Sequence, residues 1–510
     1  MSCILAFVLA IAATCLSVEA QDVSLSPRAE LPPGASEIVP KGFASFGIQA
    51  SSFPYYFGND KKVLRVGGTN GDQAIYDPSQ EAAVTSADGP VIGGKGIPMN
   101  LTLGPSFFEG FKQLPAQWVF GIPFIDFNKT NSRKQAELFV RNAGISQIQA
   151  LEIGNEPDLY KAVAHDAVVP PSAYVSKWHD YASNIRSDIS GLRTPIWQAL
   201  CLARAEGHDP LTLAKILQAG VLNNAIKSIS MHYYQKTTST GFEMQHTLLN
   251  HKYIKSGLAP HIDNVRYLRH NGHPDLEYVL GETGRYPVDR NAQPSSMADA
   301  NFGSALWTVD MMLYAMSQNI SRINMQQGVE MGFAAWHPIK AGKYAASVTA
   351  PFYAQVFVAD VIGKENNTRI VELKTTEEGN GFQEFAAAYA IYNSGGLSKI
   401  AIVNLQRYVA NGTDSVRPQR TFKLNKLPSL VQGATIKKLS GPGSEALNNV
   451  SYGGKQWLVE NHGKETTASD DDTVHRDITG NSLTLQVDDS QAVLVVLERG
   501  KNIQAANQEL

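Results

Sequence analysis

The sequence predicts an α/β fold, a (β/α)8 barrel followed by an all-β sandwich, on three observations. At 510 residues the chain exceeds what one hydrophobic core usually holds, so two domains are expected. From residue 41 to 364, eight short apolar segments alternate with helical patterns or long loops, which suits a barrel of about 250 residues enlarged by insertions. From 365 to 510 the helical patterns stop and strand patterns follow one another. An open doubly wound sheet is the competing fold for the first part, but no glycine-rich nucleotide fingerprint follows its first strand.

The barrel strands are expected at FASFGIQ (43–49), KVLRVGG (62–68), WVFGIPF (118–124), IQALEIGN (148–155), PIWQALC (195–201), IKSISMHYY (226–234), LEYVLGE (276–282) and SRINMQQ (321–327). Among the helices between them, one is capped by Ser172 and repeats Tyr174, Trp178, Tyr181 and Ile185 at spacings of three and four. Phe302, Leu306, Val309, Leu313 and Met316 repeat that pattern before the eighth strand. Residues 351–363 form the last barrel helix, with Pro351 near its start and Gly363 after it. Beyond 365, EFAAAYAIYN and LSKIAIVNLQ read as a hairpin turning at Gly395 and Gly396. ATIKKLSG, QWLVEN, SLTLQV and AVLVVLER supply further strands, and residues 21–40 are expected to join this β domain.

The first 20 residues hold an apolar run from Ile4 to Leu16, then Val18-Glu19-Ala20, the pattern a signal peptidase reads. A signal peptide cleaved after Ala20 and a secreted, extracellular product are expected. The run is shorter than the ~20 residues a membrane span needs, which counts against an anchor. Cleavage removes Cys3 and Cys15, so Cys201 stands alone and no intrachain disulfide forms. Within IWQALCLA, Cys201 reads as a small buried hydrophobe rather than a nucleophile. Sequons at Asn100, Asn128, Asn319, Asn366, Asn411 and Asn449 suit N-glycans on a secreted chain. Composition is that of a globular protein, with 43% hydrophobic and 18% charged residues. Loss of Glu19 moves the net charge from −3 to −2, and no basic block exists, so neither nucleic acid nor a membrane is an expected partner.

Barrels of this kind place their chemistry at the C-terminal ends of the strands. The fourth strand ends in Asn155-Glu156-Pro157, where Pro157 cannot continue the ladder, and the seventh ends in Gly281-Glu282-Thr283. Two carboxylates facing each other across a pocket are what glycoside hydrolysis requires. One, protonated, donates to the leaving oxygen; the other, ionised, attacks the anomeric carbon or activates water. Glu152, on the same strand face as Glu156, is expected to be an interior partner of Arg65 rather than a third acid. His246 and His251 lack metal-ligand spacing, and neither a metal nor a cofactor is expected.

EIGNEP around Glu156 and VLGETG around Glu282 resemble the retaining glycoside hydrolases of clan A. Together with LRVGGT (64–69), HYY (232–234) and the β-rich tail, this ordered set is similar to glycoside hydrolase family 79, which contains secreted β-glucuronidases and the heparanases. The resemblance implies that Glu156 is the general acid/base and Glu282 the nucleophile. It implies that Asn155 binds the sugar 2-hydroxyl, that Tyr234 donates to Glu282, and that Thr69 and Gln327 line the sugar subsite. His232, expected among the substrate-binding residues, shares the side of Tyr234 by alternation, while Tyr233 points the other way. Tyr286 is the first candidate for the substrate carboxylate, although the loop after it reads PVDRN where the family has a glycine run. Arg285 is either a second candidate or a solvated loop residue. Trp336, in AWHP where heparanases have NYH, either stacks on a sugar or packs.

The expected protein is a secreted retaining exo-β-glucuronidase that removes terminal β-D-glucuronic acid, or its 4-O-methyl form, from glycoconjugates by double displacement. An endo-β-glucuronidase of heparanase type is the alternative, and the lack of Lys/Arg clusters counts against it. A non-catalytic carbohydrate-binding glycoprotein is a further alternative, which the intact Glu156, Glu282 and Asn155 oppose.

Overall fold

In the computed structural model the described residues are 22–56, 63–93, 98–160, 170–192, 194–236, 241–286, 300–374, 382–410, 416–468 and 472–500. The expected signal peptide and the sequon at Asn411 lie outside them.

Eight parallel strands close into a barrel in chain order: β1 (Ala44–Gln49), β2 (Val63–Gly67), β3 (Gln117–Ile122), β4 (Ile148–Ile153), β5 (Trp197–Leu202), β6 (Ile226–Lys236), β7 (Glu277–Tyr286) and β8 (Arg322–Gln327). β8 pairs back onto β1, from Ile323↔Ala44 to Gln327↔Ile48, so the sheet has no open edge and is not doubly wound. The expected strands are all present, with shifted ends. β7 runs on to Tyr286 because β6 is long enough to pair with it, from His232↔Glu282 to Lys236↔Tyr286.

Among the described residues, five longer helices cover the barrel: α1 (Lys129–Ala143), α2 (Pro171–Asp188), α3 (His251–His270), α4 (Phe302–Ser317) and α5 (Ala350–Ile362). Ser172 does not cap α2. The helix begins at Pro171 without a side-chain cap bond, since a proline at the first position has its φ preset and no N–H to satisfy. Between β2 and β3 the chain forms a three-stranded sheet, Ile75–Tyr76, Val84–Ser86 and Leu101–Leu103, before the short helix Pro105–Glu109. The aromatic rings of Phe53, Phe107, Phe111 and Trp118 pack edge-on beneath it.

The second domain is built from β9 (Arg369–Glu372), β10 (Ala386–Asn393), β11 (Gly396–Asn404), β12 (Gln419–Leu424), β13 (Val431–Ser440), β14 (Thr473–Asp477), β15 (Leu483–Asp488) and β16 (Gln491–Arg499), with shorter strands on its edge. A large antiparallel sheet centred on β11, β16 and β13 packs against a small one made of β12, β15 and the N-terminal strand Val23–Leu25. Leu25, Phe422, Ile400, Ile402, Val493 and Val495 fill the space between them. QWLVEN is a strand only to Trp457 and then turns through a short 3-10 helix at Val459–Asn461.

Helix α4 is buried along its whole length. A helix apolar on every face needs cover on every face, and the barrel and the sandwich supply it. Its one acid, Asp310, is held there by Tyr389 Oη at 2.6 Å and His251 Nδ1 at 2.8 Å. His251 Nε2 lies 3.0 Å from Glu372, which Lys255 Nζ meets at 2.7 Å.

Candidate active site

β4 ends at Ile153, and the chain turns through Gly154 and Asn155 into Glu156, whose φ is +50°. That left-handed conformation costs a non-glycine residue roughly 1 kcal/mol and needs external support. The support is the Glu156 N–H, which donates to the Cys201 carbonyl of β5 at 2.8 Å. Pro157 then opens a 3-10 turn, Pro157–Leu159, and leaves the Glu156 side chain 20% exposed at the mouth of the barrel. Its Oε1 is 2.8 Å from His232 Nδ1.

Glu282 stands on β7 with its side chain 13% exposed. Tyr234 Oη donates to Oε1 at 2.6 Å and Arg65 Nη1 donates to Oε2 at 3.0 Å. Burial works against the charge of Glu282, but His232, Arg65 and Tyr234 outweigh it and hold the carboxyl below its usual range. Arg65 joins the two sides of the site. Its Nε pairs with Glu152 at 2.7 Å, and its Nη2 donates to Asn155 Oδ1 at 2.8 Å. Glu152 is thus the interior partner of Arg65, and its other oxygen accepts from Gln198 at 2.8 Å.

The remaining expected residues divide by position. Asn155 is buried, and its Nδ2 faces Thr69 Oγ1 at 3.4 Å, so these two residues share one wall. Tyr233 turns away from the pocket and donates to Gln235 Oε1 at 2.9 Å. His232 is fully buried, with Nε2 3.2 Å from Cys201 Sγ, so it touches Glu156 and Cys201 rather than lining a sugar subsite. Gln327 is one residue out of phase for the pocket. Its amide donates to the Gln326 carbonyl at 2.8 Å and accepts from the Ala335 N–H at 2.8 Å, which anchors the loop after β8. The in-phase amide at that level is Gln326, near Gly68. Arg285 is no solvated loop residue: it is buried within β7, in register with Gln235 and on the face opposite Glu282. Tyr286 returns to the phase of Glu282, and its side chain lies outside the described residues. Trp336 is half-buried edge-on against Phe46 and Tyr56, at ring distances of 4.8 and 5.3 Å.

Three features escape a linear reading. Arg65 reaches Glu282 and Asn155 as well as Glu152. Cys201 faces into the barrel beneath His232. Phe333 is half-buried in the loop after β8, beside Gly284: a Cβ there would meet Tyr234 at 3.0 Å and Phe333 at 3.4 Å. Only the aromatic character of Phe333 and its nearness to the eighth strand could have marked it.

Residues 388–494 match the model of the glycosyl hydrolase family 79 C-terminal beta domain. A beta-glucuronidase of Aspergillus niger is 28% identical over 484 residues, which cover 86% of each chain. One of Neurospora crassa is 26% identical, covering 81% of this chain and 84% of the relative. Among solved structures, a 4-O-alpha-L-rhamnosyl-beta-D-glucuronidase from Fusarium oxysporum superposes with a TM-score of 0.76 at 21% identity, covering 93% of this chain and 100% of that one. A family 51 arabinofuranosidase from Xanthomonas axonopodis pv. citri does so at 0.63 and 13%, over 94% and 100%. Both show the fold that these chains share.

Proposed function

The chain belongs to glycoside hydrolase family 79, and from that premise we propose that it is a retaining exo-β-glucuronidase acting on terminal β-D-glucuronic acid. One observation carries the mechanism. Two carboxylates at the same barrel mouth sit in opposite settings: Glu282 is clamped by Tyr234 and Arg65 and held ionised, while Glu156 is the more exposed and meets a single ring nitrogen.

In the first step Glu282 attacks the anomeric carbon as the bond to the aglycone oxygen breaks, and Glu156 gives that oxygen its proton. The alcohol leaves and a glycosyl ester on Glu282 remains. In the second step water attacks the anomeric carbon, its proton passes to Glu156, and Glu282 departs as a carboxylate. Asn155 and Thr69 are proposed to hold the sugar hydroxyls, and Tyr286 the substrate carboxylate. The exo mode is supported by the sequence, which lacks the Lys/Arg clusters that a long sulfated chain would require.

Secretion is proposed from residues 1–20, with N-glycans at the sequons. Asn100, Asn128, Asn366 and Asn449 are exposed, whereas Asn319 is half-buried and accepts from the Glu37 N–H at 2.6 Å. The test of activity is a panel of aryl β-glycosides (glucuronide, galacturonide, glucoside, xyloside) with wild type, Glu156→Gln and Glu282→Gln. Hydrolysis of the glucuronide alone, with the β-anomer as first product by NMR and loss in both variants, is expected. Full activity in both variants would overturn the proposal.

A further inference from the structure

We infer that Cys201 is a positioning residue for the acid/base, fixing His232 and through it the Oε1 of Glu156. The inference rests on the assignment of Glu156 as acid/base and adds a residue that need not touch the sugar.

The backbone is the first observation. Trp197 packs against Trp178 of the helical shell, while Gln198 faces the interior and donates to Glu152. A strict alternation from there would turn Cys201 outward. Instead β5 bulges: Ser230 of β6 pairs with Leu200 and Met231 with Leu202, which leaves Cys201 as the extra residue. Leu200 and Cys201 carry φ values of +79° and +50°, both unfavourable for residues with a side chain. The bulge does two things at once. It aims the Cys201 carbonyl at the Glu156 N–H, 2.8 Å away, and it rotates the thiol into the barrel.

The thiol is the second observation. Cys201 Sγ lies 3.2 Å from His232 Nε2, 3.4 Å from Arg65 Nη2 and 3.8 Å from Asn155 Oδ1. It therefore touches the holders of both carboxylates. The long C–S bond and the soft, polarisable sulfur suit three such contacts at one closed point. Burial pushes the Cys201 thiol up, so it stays neutral and accepts from the Arg65 guanidinium.

The partner of one imidazole nitrogen decides what the other nitrogen does. Burial disfavours a charged His232, while the Glu282 carboxylate and the hydrogen bonds to Cys201 and Glu156 raise its affinity for the second proton. The charged ring donates from Nε2 to sulfur and from Nδ1 to Glu156 Oε1. With Oε1 pinned in this way, Oε2 is the oxygen left to face the leaving group. Without the sulfur, Nε2 has no partner in a closed site, and the ring is free to tilt away from Glu156.

A displaced acid/base has a kinetic mark that general loss of structure lacks. Substrates with poor leaving groups need the proton, whereas those with good ones leave without it. The test compares kcat/KM on phenyl and 4-nitrophenyl β-D-glucuronide for Cys201→Ala, Cys201→Gly and Cys201→Ser. Glycine accepts the positive φ, so it removes the thiol while keeping the bulge even where alanine fails to fold. Loss of about 10-fold or more on the phenyl substrate, and under about 3-fold on the nitrophenyl substrate, is expected for alanine and glycine, because a positioning residue supplies part of the 10²–10⁴-fold effect of a general acid. Serine, which keeps a donor and an acceptor, is expected to restore the phenyl activity and the basic limb of the pH profile. Equal losses on both substrates, or none on either, overturn the inference. Glu156→Ala is the control. If it lacks the leaving-group dependence and rescue by azide, the acid/base assignment itself fails. If it has them and the Cys201 variants do not, only the role of Cys201 falls.

Discussion

Two buried clusters of ionisable groups can be set side by side, one at the barrel mouth around Arg65 and one around Asp310 between barrel and sandwich. In the second, each acid is matched: Asp310 meets His251 and Tyr389, and Glu372 meets His251 and Lys255. Its residues sit on ordinary helix and strand backbone, and none has a positive φ. At the mouth, Glu156 and Glu282 are about as exposed as Glu372 is in the clamp, but Glu156, Leu200 and Cys201 all have positive φ. Buried charge alone therefore does not mark the site. Strained backbone beside the acids does, and the clamp at Asp310 shows what the same chemistry looks like when it only joins elements.

The difference can be broken most severely at Glu282. Glu282→Gln is expected to lower kcat on an aryl β-glucuronide by about 10⁴-fold or more, with a thermal midpoint no lower than wild type, because Arg65 keeps Glu152. Retained activity with lost stability would make this cluster another clamp. Asp310→Ala is expected to do the reverse. Chemical denaturation should show a loss of about 3–5 kcal/mol, with near-normal kcat for the folded fraction, since two neighbours lose a buried partner. A stable Asp310→Ala protein would contradict the comparison.

Tyr234→Phe sharpens it further. A fall in kcat/KM of about 10²-fold is expected from removal of one buried donor. The hydrogen bond lowers the pKa of Glu282, so its removal raises that pKa and moves the acidic limb of the profile to higher pH. A limb that stays in place would show that Tyr234 does not tune Glu282. An effect on stability alone is expected at His251. Burial works against its charge, but Asp310 and Glu372 outweigh it and lift its pKa from 6.5 to about 9. A raised histidine contributes stability fully below its unfolded pKa, near 6.5, and loses it as pH rises through about 9. Stability curves of wild type and His251→Gln are expected to converge over that window, with a change of up to about 3 kcal/mol. Parallel curves would exclude the linkage.

Much of the site was legible because it follows strand periodicity. Glu156 and Glu282 show themselves at the ends of apolar runs, and Glu152 and Arg65 meet because both face inward by alternation. What was not legible depends on a break in period. Cys201 reads as core within IWQALCLA, and only the bulge opposite Ser230 and Met231 turns it inward. Gln327 is expected in the pocket and Arg285 either there or on a solvated loop, yet each sits one residue away from the interior-facing phase. The role of His232 depended on the partner of its second nitrogen, which lies on another strand. The fold was readable for a similar reason: segment order fixes a barrel, while the clamp at Asp310 joins residues from four separate elements.

The central claim is that Glu282 forms the covalent bond to the sugar. Incubation with a 2-deoxy-2-fluoro-β-glucuronosyl fluoride, followed by mass spectrometry of the digested protein, tests it directly. A stoichiometric adduct on the peptide carrying Glu282, with loss of activity in step, is the expected result. An adduct on another residue, or continued turnover with no adduct, would contradict the account.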